Sequence, residues 1–290
     1  MEKSDYLELI KNNYTEASQV LLNEQVELYF QKQKIEKTKY STNDDVKLKK
    51  GTYIHGVPGY LENLDWIVEN GFIGNDFTNR SVANKIKSSI GMWSIKEDMY
   101  LKDYINQYSG FTIVYTIGRG PGSKEVSDLI PYHKFDEYTE KINNDEEIWM
   151  YWGDQTKEVR FLPSLVANKR QLAFILNMDN DYAKALVKND VWDPTLDKEL
   201  VKEFIDYRYY DKFLIERQNR NALTTDRETA IMFGLPSCLI EGVFVGRDLE
   251  KDEESLKIIK NKLPDCYICN LDGKVILGNS RSNLWNIILD

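Results

Sequence analysis

The sequence predicts a mixed α+β protein with an N-terminal helical extension, and three observations lead to that class. An amphipathic pattern without Pro or Gly opens the chain. Short runs of β-branched and aromatic residues follow it, and apolar spacings typical of helices separate those runs. With 290 residues, of which 42% are hydrophobic, the chain can bury a real core. We expect residues 1–50 to form the extension with a polar linker, and residues 51–290 to form one domain.

The N-terminal pattern predicts a helix from residue 5 to about residue 37. Its apolar residues recur at helical spacing, and they are Leu7, Ile10, Tyr14, Ala17, Leu21, Leu22, Val26, Tyr29 and Phe30. We expect this stripe to pack on the domain that follows. The alternative is a docking face for a partner protein. Residues 37–50 are rich in Lys, Thr, Ser, Asn and Asp, which predicts a polar connection.

The stretch 51–71 predicts a short strand, a tight turn and an amphipathic helix. Residues 52–57 contain the β-branched and aromatic side chains of a strand, and a Pro-Gly pair ends it. Apolar residues at helical spacing follow until Gly71, a residue that commonly stops a helix. His55 is therefore expected at the open end of the strand, beside Gly56, which lets a ligand approach the backbone closely. The alternative is a histidine that is satisfied structurally at a strand end.

The middle of the chain carries weaker patterns. The predicted elements are a helix over 93–108, a strand over 111–117, a strand opening at Glu158, a strand over 171–177 and interrupted helices over 179–219. The strands at Glu158 and 171–177 are candidates to pair with each other. The glycine-rich loop 118–123 lacks a following Gly-Lys-Ser/Thr sequence, so we interpret it as a loop and not as a phosphate site.

The stretch 221–246 is the second informative one. Residues 223–225, which include Thr224 and Thr225, predict the end of a strand. Asp226 is then expected to cap a short helix that stops at Gly234.

The run 239–245 predicts a core strand that contains one carboxylate, Glu241. Strand alternation places Glu241 on the face of Leu239 and Val243, which is normally a core face. Burying an ionised glutamate without a partner costs several kcal/mol. Glu241 therefore needs a partner, a cleft or a catalytic reason.

The C-terminal part predicts a helix that ends before Pro264 and a hairpin around Asp272 and Gly273. Cys266 and Cys269 fall in the first strand of that hairpin. We interpret them as strand residues, since no second cysteine pair accompanies them, and we expect no metal.

Charge and hydropathy exclude several functional classes. A net charge of -9 argues against a protein that coats nucleic acid, although a transient nucleic-acid substrate stays open. No apolar run approaches the ~20 residues of a membrane span, and the first residues form no signal peptide. We therefore expect no membrane partner and a cytoplasmic location.

The two informative stretches resemble motifs of the ADP-ribosyltransferase superfamily, in its bacterial mono-ADP-ribosyltransferase-like branch whose first motif is His-Gly. His55-Gly56, followed by a helix and Gly71-Phe72-Ile73, matches that first motif. The Thr-rich segment, the segment with Ala230 and Phe233, and the strand with Glu241 match the later motifs. Together they cover about 45 of the 290 residues.

The resemblance implies a split pair of antiparallel or mixed sheets with a cleft that binds NAD as co-substrate. In that arrangement His55 holds a ribose hydroxyl, Gly56 meets the carboxamide through its backbone, and Thr224 and Thr225 belong to the same site. Glu241 would bind the nicotinamide ribose and stabilise an oxocarbenium-like transition state. Leu239 stands where arginine-modifying members carry Gln or Glu, so an arginine acceptor is not expected.

The function that this implies is mono-ADP-ribosylation of a macromolecular acceptor, a protein or a nucleic acid, by a toxin-like effector. Two alternatives remain open. One is an NAD glycohydrolase, in which water replaces the acceptor. The other is an interaction protein that keeps the fold without catalysis and contacts a partner through its N-terminal helix and the acidic, Trp-rich segment 136–158.

Overall fold

The structure, a computed structural model, describes residues 1–32, 45–57, 61–77, 88–104, 149–152, 155–160, 172–188, 198–204, 228–270 and 272–278. The α-helices are α1 (Lys3–Asn13), α2 (Glu16–Phe30), α3 (Glu62–Asn70), α4 (Asp181–Lys188), α5 (Lys198–Phe204), α6 (Arg247–Glu250) and α7 (Glu253–Lys262). The strands are β1 (Lys47–Leu48), β2 (Tyr53–Val57), β3 (Phe72–Ile73), β4 (Ser89–Ser94), β5 (Met99–Tyr100), β6 (Trp149–Trp152), β7 (Gln155–Arg160), β8 (Leu172–Leu176), β9 (Glu228–Met232), β10 (Gly234–Leu235), β11 (Ile240–Val245), β12 (Tyr267–Cys269) and β13 (Val275–Leu277).

A mixed seven-stranded sheet forms the centre of the fold, in the order β13-β12-β11-β8-β2-β4-β9. Strands β11 and β12 pair in parallel, whereas the other neighbours in this sheet are antiparallel. The middle strand, β8, has five buried residues in succession, the pattern of a strand that is covered on both faces. Three two-stranded pairs, β1–β5, β3–β10 and β6–β7, accompany the sheet. The mixed α+β class predicted from the sequence is confirmed.

The N-terminal segment forms two helices, so the expectation of one helix is wrong. Tyr14 and Thr15 both have extended backbones between α1 and α2. The Thr15 hydroxyl accepts a hydrogen bond from the backbone N–H of Ser18, which caps the start of α2. The predicted stripe is buried at Ile10, Leu22, Val26 and Tyr29, half-buried at Leu7, Tyr14, Leu21 and Phe30, and exposed at Ala17. Tyr6, outside the predicted stripe, is also buried, and its ring packs edge-on against Phe233 at 5.0 Å between centroids. Residues 33–37 lie outside the described part of the chain.

The helix predicted over 93–108 is wrong in its first part, because strand β4 continues to Ser94 and β5 covers Met99–Tyr100. Residues 101–104 are helical as predicted, and residues 105–108 lie outside the described part of the chain. Strand β4 pairs with β2 on one side and with β9 on the other, so its backbone groups are satisfied by the sheet.

The helix predicted to stop at Gly234 is a strand, β9. The run Thr229 to Met232 is too short for the spacing of its apolar residues to distinguish a helix from a strand. It forms a strand because its backbone pairs with β4. Phe233 then takes a left-handed backbone conformation, with φ of 59°. Its N–H donates to the carbonyl oxygen of Ser88 at 2.9 Å, so the contact between β4 and β9 extends one residue beyond the pair Ser89 and Met232.

The remaining predicted elements have mixed outcomes. The strand over 171–177 is confirmed as β8, but its neighbours are β2 and β11, and the strand that includes Glu158 pairs with β6 instead. The helix α7 and the β12–β13 hairpin are confirmed, with Gly273 in a left-handed turn at φ of 74°. The elements predicted over 111–117, 118–123 and 223–226 lie outside the described residues. Within the described ranges, no helix combines the length and apolar character needed to cross a bilayer.

Candidate functional site

His55 lies in the middle of β2 and not at its open end, which corrects the sequence-based expectation. The reason is that β2 continues beyond it, since Gly56 and Val57 still pair with Ala173 and Leu172 of β8. His55 itself pairs with Phe174.

The other edge of β2 separates from its neighbour at His55. The register between β2 and β4 covers Tyr53 with Ser94 and Ile54 with Trp93, whereas β4 continues to pair with β9 as far as Ser89. Beyond Ile54, the Nδ1 atom of the His55 imidazole lies 3.0 Å from the carbonyl oxygen of Gly91 in β4. The backbone pairing between β2 and β4 therefore ends directly before the His55-Gly56 motif.

The hydrogen bond to Gly91 fixes the tautomer of His55. A carbonyl oxygen can only accept, so Nδ1 carries the proton and the neutral ring presents Nε2 as an acceptor. Dense packing around the ring disfavours its charged form and lowers the pKa of His55 to about 4, and the bond to Gly91 opposes this shift in part. At neutral pH His55 can therefore accept a hydrogen bond from a hydroxyl group, but it cannot supply a positive charge.

An aromatic ring that sequence reasoning did not assign to the site fixes the other side of His55. The Phe72 ring lies 5.3 Å from the imidazole, with an interplanar angle of 72°. Phe72 follows Gly71 in the first motif, so its position was visible in the sequence although its role was not. No sequence signal identifies Gly91, because its contact with His55 depends on the register of two strands.

Glu241 lies in β11 and is fully buried. Its position is irregular: Ile240 pairs with Leu176 and Gly242 with Ile175, so Glu241 is the extra residue of a β-bulge. The predicted face shared with Leu239 by simple alternation is wrong, since Leu239 ends a 3₁₀ turn and the strand begins after it. Bulges re-aim side chains and are frequent beside active sites, which makes this carboxylate a candidate for chemistry.

The two candidate residues belong to the same sheet, with one strand between them. Strands β2 and β11 flank β8, so His55 and Val243 both pair with Phe174. Glu241 precedes Val243 by two residues. At the usual spacing of sheet strands, β2 and β11 are about 10 Å apart. A ligand that meets both residues therefore has to span the width of β8.

Two side chains at the start of the neighbouring strand β12 pack against the residues on either side of Glu241. A Cβ atom on Gly242 would overlap the ring of Tyr267, so this strand can approach β12 only with glycine at that position. The Cys266 thiol donates to the carbonyl oxygen of Ile240 at 3.3 Å, next to Glu241. Glu241 itself has no exposed surface, so a ligand reaches its carboxylate only if the surrounding packing moves.

The cysteines act as packing residues. Cys266 and Cys269 donate to backbone carbonyls of β11, and burial raises the pKa of the Cys269 thiol. No group of three or more metal-binding side chains occurs in the part of the chain that the structure describes. Thr224 and Thr225, the other residues predicted for NAD, lie outside that part.

Comparison of the chain with protein-family models, with curated proteins and with solved structures finds no match in any of the three.

Proposed function

We propose that the protein binds NAD at the place where the pairing between β2 and β4 ends and transfers its ADP-ribose to a macromolecular acceptor, a protein or a nucleic acid. The observation that carries this proposal is the separation of the two strands at His55, with Gly56 as the next residue. The cleft that the sequence resemblance implies would then lie at this end of the pairing between β2 and β4.

His55 supports the proposal through its protonation state. A ribose hydroxyl donates a hydrogen bond most simply to a neutral ring nitrogen, and Nε2 of His55 is such an acceptor. Because Nδ1 is already committed to Gly91 and Phe72 packs on the ring, the imidazole is held in one orientation before a ligand arrives. Gly56 has no side chain, so the nicotinamide carboxamide could meet its backbone N–H and C=O.

Glu241 would supply the electrostatic part of catalysis. When the bond between the nicotinamide and its ribose breaks, positive charge develops on the sugar. A carboxylate in a dry, low-dielectric surrounding stabilises that charge more strongly than one in water. The full burial of Glu241 provides such a surrounding, and its place in a bulge gives the strand a point of local adjustment.

Nicotinamide release tests this proposal. The protein is incubated with NAD alone, and then with NAD and a cell lysate, and free nicotinamide is quantified in both. Release that depends on the lysate, together with transfer of label from NAD to a macromolecule, supports transfer. Release with NAD alone indicates the glycohydrolase, and calorimetry that detects no NAD binding rejects the proposal.

The burial of Glu241 also favours a second candidate, an interaction protein that keeps the fold without catalysis. In that case NAD binding and nicotinamide release are both absent. A partner could not use the apolar stripe of α1 and α2 while these helices stay docked, because Tyr6, Leu22 and Tyr29 are buried against the domain.

A further inference from the structure

The N-terminal helices contact the backbone of the turn that ends α3. The hydroxyl of Tyr29 in α2 donates a hydrogen bond to the carbonyl oxygen of Asn70, the last residue of α3. The last four carbonyl groups of a helix have no partner within the helix, so Tyr29 satisfies one of them from outside. Gly71 follows with φ of 68°, and a Cβ atom there would lie 2.8 Å from the Tyr29 hydroxyl oxygen. Helix α2 and this turn are thus in direct contact.

The turn leads at once to the ring that packs on His55. Phe72 is the first residue of β3 and pairs with Leu235 of β10. Its ring is 2% exposed and lies 5.3 Å from the rings of both His55 and Phe174. A displacement of the turn at Gly71 would therefore move Phe72 against the imidazole.

Tyr29 itself is held from several directions. Its ring packs edge-on against Phe233 at 5.1 Å between centroids, and its backbone carbonyl accepts a hydrogen bond of 3.1 Å from the hydroxyl of Tyr182 in α4. Only 3% of Tyr29 is exposed. A side chain fixed in this way can restrain the backbone that it contacts.

We propose that Tyr29 is a positioning residue for His55, which acts through the carbonyl of Asn70 and the ring of Phe72. The N-terminal helices would thereby set the orientation and the dryness of the candidate NAD-binding histidine. The positioning of the ring does not depend on any ligand. Its consequence for NAD affinity rests on the proposed function.

The test follows the titration of His55 by NMR in the full chain. Tyr29→Phe removes the hydroxyl and keeps the ring. The matched control, Tyr14→Phe, removes a hydroxyl of the same N-terminal segment that donates to Asp76 and leaves the bond between Tyr29 and Asn70 in place. Because the chain has two histidines, His133→Gln identifies the His55 signal.

In the wild-type protein the pKa of His55 lies at about 4, with burial as its largest cause. Looser packing of Phe72 admits water to the ring, so Tyr29→Phe should raise the midpoint by about one pH unit toward the value of a solvated histidine. Tyr14→Phe should leave the midpoint in place. Equal midpoints for His55 in wild type and Tyr29→Phe, with both proteins folded by thermal melting, overturn the proposal.

A second variant tests the contact between Phe72 and His55, and it gives a result even if Tyr29→Phe does not fold. Phe72→Leu keeps an apolar side chain and removes the ring, and it should raise the His55 midpoint in the same direction. An unchanged midpoint in Phe72→Leu also overturns the proposal. Calorimetry with NAD then separates the two conclusions: if wild type binds no NAD while the midpoints move as expected, the proposed function fails and the positioning role stands.

Discussion

The Nδ1 atom of His55 and the carbonyl oxygen of Gly91 lie 3.0 Å apart at the point where strands β2 and β4 separate. A side chain takes the place of a backbone partner there. The backbone pairing between β2 and β4 can end at this position without leaving the Gly91 carbonyl unsatisfied, because the imidazole donates to it. The same bond leaves Nε2 of the ring as a hydrogen-bond acceptor. A hydroxyl group of a ligand can therefore donate to His55 at the place where the strand pairing ends.

Replacement of His55 by alanine should weaken NAD binding. Loss of one hydrogen bond between neutral groups reduces binding free energy by about 0.5–1.5 kcal/mol, which corresponds to roughly threefold to tenfold in affinity. Isothermal titration calorimetry on His55→Ala and wild type measures the difference. His133→Ala, which replaces the other histidine, should bind like wild type. Equal affinity of His55→Ala and wild type would reject the role of His55 in NAD binding.

The stability of the protein should depend on His55 between pH 6.5 and about pH 4. Because the folded-state pKa is lowered, the unfolded chain takes up a proton in this window before the folded protein does. Stability therefore falls as the pH decreases through it, by at most about 3 kcal/mol from this group. His55→Gln can still donate to Gly91 but does not titrate, so urea unfolding at several pH values should show a shallower decline for this variant. If the free energy of unfolding declines equally with falling pH in wild type and His55→Gln, the expectation is contradicted.

Gly71→Ala should destabilise the protein much more than Gly51→Ala. Both glycines have left-handed backbones, with φ of 68° and 88°. A Cβ on Gly71 would lie 2.5 Å from the carbonyl oxygen of Leu235, whereas one on Gly51 would meet nothing within 4 Å. Gly51→Ala should cost only the backbone term of about 1–2 kcal/mol, and Gly71→Ala should add overlap of about 1–3 kcal/mol. Denaturant unfolding of both variants checks the order.

Glu241→Gln should preserve folding and reduce nicotinamide release by roughly 10²–10³-fold, the scale of losing one electrostatic contact in a transition state. The substitution keeps the size of the side chain and removes its charge. A melting curve and a release assay on the same preparation measure both effects. Glu250→Gln is the control, since Glu250 accepts a hydrogen bond from Asn270 at the end of the same sheet and has no proposed catalytic role.

A different result for Glu241→Gln would indicate a structural role. If the carboxylate only balances a buried cation, the variant should lose about 3–5 kcal/mol of stability. A destabilised protein with near-normal specific activity would reject catalysis by Glu241.

Removal of residues 1–32 should abolish the cooperative thermal transition or lower its midpoint strongly. Each large apolar side chain that loses its burial forfeits about 1.5–3 kcal/mol, and the stripe contributes several such side chains to a core whose net stability is about 5–15 kcal/mol. Differential scanning calorimetry and binding of a hydrophobic dye measure the effect. An unchanged melting temperature would instead indicate that the helices are not required for the fold.

The elements that could be predicted from the sequence are those with strong boundaries. Helix α3 ends at Gly71, α7 ends just before Pro264, and β11 is a run of apolar residues after Pro236. The apolar run of β9 is shorter than two helical turns, so its spacing fits a helix as well as a strand. The helix that the sequence predicts there is therefore wrong. The break between α1 and α2 was hidden because the apolar stripe continues across Thr15.

The candidate site could be predicted only in part. His55 and Glu241 were identified from their local sequence, and both lie in strands of one sheet. Gly91 could not be identified, since its contact with His55 joins residues 36 positions apart through strand register. Tyr29 was identified as a core residue, but its hydrogen bond to Asn70 depends on how the N-terminal helices dock.

The order of strands in the central sheet also determines when the protein can fold during synthesis. Strand β2 pairs with β8, and β4 pairs with β9, so each early strand waits for a partner from much later in the chain. Contacts of such high sequence separation form slowly, and unpaired strand edges are prone to aggregation until they close. The packing of Tyr29 is delayed in the same way, because its partner Phe233 is synthesised after most of the chain. The nascent protein should therefore need protection of its N-terminal third until β9 and Phe233 have left the ribosome.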